Sequence, residues 1–279
     1  MLPWPVLLAV LLGAALHAAW NVGVRAGDDR SRETALVVAG AALLAVFALP
    51  FLAQPRAGSW PCLAASATVH VAYFTLVAAA YTRGSVSLAY PLMRGAAPPI
   101  TAVVAWLVLH EALPPLGWAG IAAVSGGVLL MARVRGGTGE GAAICMALLN
   151  AVVIAAYTLI DGVGVRASQA PLAYTMWLML LSAMPSLLML QRRRGRLAWR
   201  CTLPEAARAI GAGACSIGSY ALALWAMTHA PVAPVAALRE TAMLFGLVLA
   251  RVVLGERPGL RRWAAAGAIA AGATLLRLA

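Results

Sequence analysis

The chain alternates long apolar stretches with short breaks that carry proline, glycine and arginine. Ten apolar runs of roughly 20 residues can be drawn, at 5–24, 34–53, 62–82, 86–109, 115–132, 141–160, 172–190, 206–228, 231–254 and 262–278. About 20 helical residues, each rising ~1.5 Å, cross the ~30 Å hydrocarbon core of a bilayer. The pattern therefore predicts an all-α integral membrane protein with ten transmembrane helices.

The two halves of the chain repeat one order of residues. Arg239 follows Arg94 by 145 positions, and a glutamate and a tryptophan further along each half keep the same spacing. Five helices per half is an odd number, so the second half must run antiparallel to the first. We therefore predict two inverted five-helix repeats, at residues 1–135 and 141–279, an arrangement in which secondary transporters bind substrate near the repeat interface.

Composition and charge agree with a membrane location. Hydrophobic residues make up 63% of the chain and charged residues 11%, against roughly 25% charged in an average soluble domain. The net charge of +12 resides on arginines in short loops, which is a pattern of membrane topology and not of nucleic-acid binding. Sixteen of the 21 arginines follow odd-numbered runs and three lie on the opposite side. The positive-inside rule then predicts a cell (inner) membrane protein with both termini outside the cytoplasm.

Two arginines, Arg94 and Arg239, lie in the middle of apolar runs. A guanidinium stays charged at cellular pH, and burying one at bilayer depth costs ~3 kcal/mol or more. Two such residues at equivalent repeat positions indicate a shared polar cavity. They could clamp an anionic substrate. Alternatively, Arg239 could pair with Glu240 or Asp161 in a structural network that holds the repeats together.

Further polar-tipped side chains occupy deep positions in the runs. A mostly apolar pocket with a few orienting polar groups is typical of small-molecule sites. The expected substrate-contacting residues are Arg94, Arg239, Glu240, Trp20, Asn21, Tyr73, Tyr90, Asn150, Tyr157 and His70. Candidates for a coupling proton or ion are Glu240, Asp161 and His17. For the aromatic residues, packing between helices or against lipid remains the alternative.

Helix geometry suggests further roles for prolines and helix-end acids. Pro98 and Pro99 remove hydrogen bonds close to Arg94, so the fourth helix should bend there and free backbone oxygens. Glu111 and Glu256 close the fourth and ninth runs and are expected to be structural.

Small residues four positions apart in the fifth and tenth helices permit close contact with another helix. They are Ala122 with Gly126, and Gly267 with Ala271. Such pairs let helix backbones approach closely. The same surface suits internal packing or a homodimer equally well.

Several stretches together resemble one family. These are His17–Asn21, Ala80–Ser85, Tyr90–Gly95, and the helix-end Glu111 and Glu256. In this order and in a doubled five-helix frame, the chain resembles the ten-helix, EamA-like branch of the drug/metabolite transporter superfamily. The resemblance implies a central cavity lined by helices one, three, four, six, eight and nine, and carriage of small metabolites without ATP. It also implies cytoplasmic termini, against the arginine count.

The function that follows is a secondary transporter of a small polar, anionic metabolite, working by alternating access without a cofactor or metal. Its partners are then that substrate, the lipid bilayer and a proton or ion gradient. A flippase for a lipid-linked phosphate or sugar head group is the alternative. An intramembrane enzyme is less favoured, because the chain has no HExxH motif, no paired aspartates on facing helices and no activated-serine motif.

Overall fold

The computed structural model describes residues 1–25, 30–132, 140–195, 201–253 and 255–279. Regular structure in these ranges is entirely helical. The α-helices in these ranges are α1 Trp4–Arg25, α2 Arg30–Ala48, α3 Trp60–Arg83, α4 Val86–Val108, α5 Pro115–Leu130, α6 Glu140–Ser168, α7 Pro171–Arg194, α8 Leu203–Met227, α9 Val232–Leu238, α10 Ala242–Val253 and α11 Leu260–Leu278. Short 3₁₀ turns cover Leu49–Phe51, Ala57–Ser59 and Arg239–Thr241.

Seven helical segments within the described residues are long and apolar enough to cross a membrane, and α5 is a shorter apolar helix. Large apolar side chains also cover the outside of the molecule. Leu12, Phe47 and Leu107, for example, are 55%, 68% and 58% exposed. Such a surface suits lipid and not water. The prediction of an all-α, multi-pass membrane protein is confirmed, while the count of ten spans stays a prediction.

The apolar run 231–254 is not the single α-helix that the sequence predicted. α9 ends at Leu238, Arg239–Thr241 winds as a 3₁₀ turn, and α10 begins at Ala242. The Thr241 hydroxyl donates to the Leu238 carbonyl at 2.7 Å, within this tighter turn. A 3₁₀ stretch inside a longer helix often marks a hinge. The break therefore sets Arg239 and its neighbour Glu240 apart from the regular helix.

The fourth helix, in contrast, is uninterrupted. α4 contains Pro91, Pro98 and Pro99 and still runs from Val86 to Val108. It packs against α5, α6 and α9, and tertiary packing of this kind can hold a helix together across missing hydrogen bonds. The helix is interrupted at the second repeated arginine instead of the first.

Close packing of α5 on α11 depends on glycine, although not on the glycines that the sequence pattern indicated. A Cβ added to Gly127 would lie 2.8 Å from the Ala265 carbonyl oxygen, and one on Gly272 would also meet backbone at 2.7 Å. A Cβ on Gly126 or Gly267 would meet nothing within 4 Å. Of the two alternatives, internal packing therefore uses the neighbouring helix face, because adjacent helical residues point ~100° apart. The homodimer stays a prediction.

Candidate functional site

A buried ion pair joins the two halves of the chain. Arg94 on α4 contacts both oxygens of Glu240, with Nη2 to Oε1 at 2.9 Å and Nε to Oε2 at 3.0 Å. Arg94 is 8% exposed and Glu240 is 4% exposed. Two parallel hydrogen bonds between guanidinium and carboxylate fix orientation as well as charge. The 3₁₀ turn after α9 brings Glu240 to this position.

The ion pair forms one wall of a small internal cavity between α4, α6 and the α9 region. Its lining residues are Arg94, Ala97, Pro98, Thr101, Ile154, Tyr157, Thr158, Ala236, Arg239 and Glu240. The volume open to the centre of a water molecule is about 10 Å³, room for about one water. Two guanidinium groups and one carboxylate border this small space.

Arg239 is only partly buried and has a different environment from Arg94. Its guanidinium carbon lies 4.8 Å from the centre of the Tyr220 ring, within cation–π range. Among the described residues, no carboxylate lies within ion-pair distance of it. The sequence alternative named Glu240 or Asp161 as the partner of Arg239. In the structure, Glu240 pairs with Arg94, and Asp161 accepts hydrogen bonds from Tyr174 and Tyr220. One positive charge at the cavity remains uncompensated.

Asp161 lies outside the cavity, fully buried among α6, α7 and α8. Tyr174 donates to its Oδ1 at 3.2 Å and Tyr220 donates to its Oδ2. The carboxylate is thus held by two phenol hydroxyls and not by a cation. Tyr220 connects Asp161 to the cavity, because the ring of Tyr220 also contacts Arg239, which lines the cavity.

Aromatic rings and one histidine pack beside the cavity. His70 stacks on Tyr157 with ring centres 4.3 Å apart, and Tyr73 meets Tyr157 edge-on at 5.8 Å. The Nδ1 atom of His70 is 2.8 Å from the Ser66 carbonyl oxygen, so that nitrogen carries the proton in the neutral ring. Of these rings, only Tyr157 reaches the cavity wall.

The other predicted site residues do not line the cavity in this conformation. On α1, Asn21 donates to the His17 carbonyl at 2.8 Å and Trp20 packs edge-on against the His17 ring. Asn150 is fully buried on α6 and donates to the Met93 sulfur at 3.3 Å. Tyr90 is partly buried on α4, one turn before Arg94. The indole nitrogen of Trp20 and the amide oxygen of Asn150 are buried without a hydrogen-bond partner.

The sequence missed the two hydroxyls of the cavity wall. Thr101 follows Arg94 by seven residues, and Thr158 follows Ile154 by four. Residues seven and four apart share a helix face. Projecting α4 from Arg94 would have found Thr101, whereas Thr158 needed Ile154, which no sequence signal singled out.

A second polar cluster ties one end of the molecule. Arg166, near the end of α6, binds Glu111 Oε1 at 2.8 Å and the carbonyls of Met227 and Ala230 at 2.7 and 3.0 Å. Glu111 also accepts from the Val232 amide at 2.7 Å, at the start of α9. Glu111 thus makes the structural helix-end contacts that its position indicated. We name Arg166 and Glu111 the end latch.

Fold and site together define a multi-pass helical membrane protein with an internal charged cavity. The sequence model of the EamA-like transporter family matches residues 4–133 and again residues 141–278. The chain belongs to the EamA-like transporter family, as the sequence resemblance indicated. Membership makes it a membrane transporter with a small-molecule substrate.

Comparison with solved structures agrees at the level of the fold. One of them, described only as a crystal structure of a protein, has a TM-score of 0.73 and 19% sequence identity. The match covers 98% of this chain and 95% of that chain. A comparison with curated proteins found no match. The fold is therefore one that already exists among solved structures, and the substrate has to be argued from the site.

Proposed function

We propose that this protein is a secondary transporter that carries a small anionic metabolite by alternating access. The observation that carries the proposal is Arg239. It lines the cavity beside the Arg94–Glu240 pair, and no carboxylate among the described residues neutralises it. A carboxylate or phosphate entering the cavity would supply a second negative charge to balance the two guanidinium groups.

Arg94 takes a different part in this proposal from the one that the sequence suggested. Its charge is already compensated by Glu240 through two hydrogen bonds. We assign the pair an orienting role, in which Glu240 fixes Arg94 and leaves the adjacent Arg239 for the anion. Thr158 offers a hydroxyl to the remaining oxygens of a bound anion, whereas the Thr101 hydroxyl already donates to the Ala97 carbonyl at 2.9 Å.

Helix packing supports the inverted repeat on which alternating access rests. In the inverted repeat, α1, α2, α3 and α5 of the first half correspond to α6, α7, α8 and α11 of the second. The packing of α1 on α8 then corresponds to that of α6 on α3, and the packing of α2 on α8 to that of α7 on α3. Both pairs of contacts occur, as does the self-related packing of α5 on α11. Backbone bonds agree, because Glu111 N bonds Ala105 O and Glu256 N bonds Ala250 O, both at 3.2 Å.

Each end of the molecule is tied by its own polar contacts, and the two ends use different ones. The end latch joins α4, α6 and the α8–α9 connection through partly buried contacts. Its counterpart in the second half, Glu256, contacts only the exposed Arg262 at 3.2 Å among described residues. From the arginine count we propose that the latch lies on the non-cytoplasmic side of the inner membrane, with both termini.

The test is counterflow in proteoliposomes, with labelled carboxylates and phosphate esters offered against the same unlabelled compounds inside. Wild type should exchange at least one anion. Arg239→Gln should lose exchange, because the positive charge and the paired N–H donors of the guanidinium both disappear. Arg239→Lys should keep a fraction of it, since a point charge replaces a two-pronged donor.

Arg261→Gln is a matched control. This arginine lies outside the cavity and donates to the Ala132 carbonyl at 2.6 Å, so exchange should persist when it is replaced. Exchange of cations or neutral solutes but not of anions would refute the proposed substrate class. Full exchange by a well-folded Arg239→Gln protein would refute the role of the arginine.

A further inference from the structure

Asp161 and Glu240 are the two carboxylates that are buried within the described part of the chain. Glu240 is committed to Arg94 with both oxygens. The hydrogen bonds to Asp161 come from hydroxyl groups, those of Tyr174, Tyr220 and Ser66. A carboxylate without a cation gains little from remaining charged in a low-dielectric site, whereas a paired one gains much. Glu240 is therefore suited to a permanent ion pair, and Asp161 is suited to binding and releasing a proton.

The surroundings of Asp161 contain few charges. The titratable groups that face it are His70 and Cys62 from α3, Tyr174 from α7 and Tyr220 from α8. The Ser66 hydroxyl from α3 is also within reach. α4 and α9 pack on α6 as well, but α4 directs Arg94 to Glu240 and α9 offers apolar Val232 against Gly162. Arg239 is connected to Asp161 through Tyr220.

Tyr220 touches both charged groups at once. Its hydroxyl donates to Asp161, and its ring faces the Arg239 guanidinium at 4.8 Å. Any change in the charge of Asp161 changes the hydrogen bond that holds this ring, and therefore the support of Arg239. An anion bound at Arg239 also adds negative charge near Asp161, which favours the neutral carboxyl. Binding of proton and anion then reinforce each other, and this coupling is reciprocal.

We propose that Asp161 binds the proton that drives transport, and that Tyr220 couples this proton to the anion at Arg239. The inference rests on the proposed function. One proton adds to a carboxylate oxygen of Asp161 together with anion binding and leaves to water on the other side, with no other bond changed. Proton and anion travel in the same direction. Asp161 lies seven residues before the end of α6 at Ser168, or about 10 Å along the helix axis, on the latch side of the cavity.

The first test needs no substrate. Infrared difference spectra of the purified protein, recorded on acidification, should show the C=O band of a newly protonated buried carboxyl group. Asp161→Asn should abolish this band and Glu240→Gln should retain it. A band that survives in Asp161→Asn, or that disappears in Glu240→Gln, would overturn the assignment of the proton to Asp161.

The second test is accumulation of the anion identified by counterflow, driven by an acidic exterior. Wild-type proteoliposomes should accumulate a monoanion roughly tenfold for each tenfold proton gradient, since both correspond to ~1.4 kcal/mol. Asp161→Asn should still perform counterflow but should lose accumulation and its pH dependence. Retained accumulation by Asp161→Asn would overturn the inference, and so would accumulation driven by an alkaline exterior.

Two tyrosine variants form a matched pair that separates coupling from packing. Tyr220→Phe and Tyr174→Phe each remove one hydroxyl donor to Asp161, but only Tyr220 also contacts Arg239. Accumulation should fall in Tyr220→Phe and persist in Tyr174→Phe, with counterflow present in both. Equal behaviour of the two variants would show Asp161 to be a structural tie. If wild type exchanges no anion at all, the proposed function fails, and the infrared band still decides the proton site.

Discussion

Replacing Arg94 should mainly lower the stability of the protein, whereas replacing Arg239 should mainly abolish transport. Arg94→Gln leaves Glu240 buried without the partner that now meets both of its oxygens. Removing one member of a buried ion pair costs about 3–5 kcal/mol. The adjacent Arg239 can take over part of this interaction, which places the expected cost near the lower limit. Arg239→Gln forfeits only the contact with Tyr220, worth roughly 0.5–2 kcal/mol.

The assay is thermal melting of purified protein in detergent, combined with a double-mutant cycle. Arg94→Gln and Glu240→Gln should each melt well below wild type. The double variant Arg94→Gln with Glu240→Gln should regain much of the loss, because no uncompensated charge stays buried. Arg239→Gln should melt near wild type although it no longer transports. A melting temperature of Arg239→Gln as low as that of Arg94→Gln, or additive effects in the cycle, would refute this division of roles.

Three further outcomes are expected. Gly127→Val should lower the melting temperature by overpacking against α11, at a cost of about 1–3 kcal/mol or more, whereas the outward-facing Gly126→Val should not. Arg166→Gln removes three contacts of the end latch, so a cysteine placed in the cavity should react faster with a maleimide added from that side. In a cysteine-free background, a cysteine in the 192–196 segment, part of which lies outside the described residues, should be protected from an impermeant maleimide in intact cells. One at Ala279 should react, and the reverse pattern would refute the proposed orientation.

The helical membrane class followed from sequence because hydropathy depends on composition over ~20 residues and not on detail. The 145-residue spacing of Arg94 and Arg239 likewise predicted a shared polar cavity, and both residues line the cavity of the structure. This feature could be predicted because charges at bilayer depth are costly and usually face the interior of the helix bundle or a cavity. The positions of charged residues and the spacing of a repeat can both be seen in a single sequence.

The sequence did not predict which side chain pairs with each buried charged residue. Glu240 is adjacent to Arg239 in the chain and yet pairs with Arg94, because the direction of a side chain depends on the 3₁₀ turn and on packing between helices. The same holds for the glycines of α5, where Gly127 and not Gly126 meets α11. Rotation of a helix about its own axis is set by tertiary contacts, and a nearly uniform apolar helix carries little pattern to reveal it.

The measurement that tests the central claim most directly is equilibrium binding of the counterflow anion to purified protein. The proposal predicts saturable binding to wild type at one anion per chain, and at least tenfold weaker binding to Arg239→Gln, which corresponds to ~1.4 kcal/mol or more. Arg261→Gln should bind like wild type. Undiminished binding to a folded Arg239→Gln protein would contradict the claim that the unpaired guanidinium at the cavity holds the substrate.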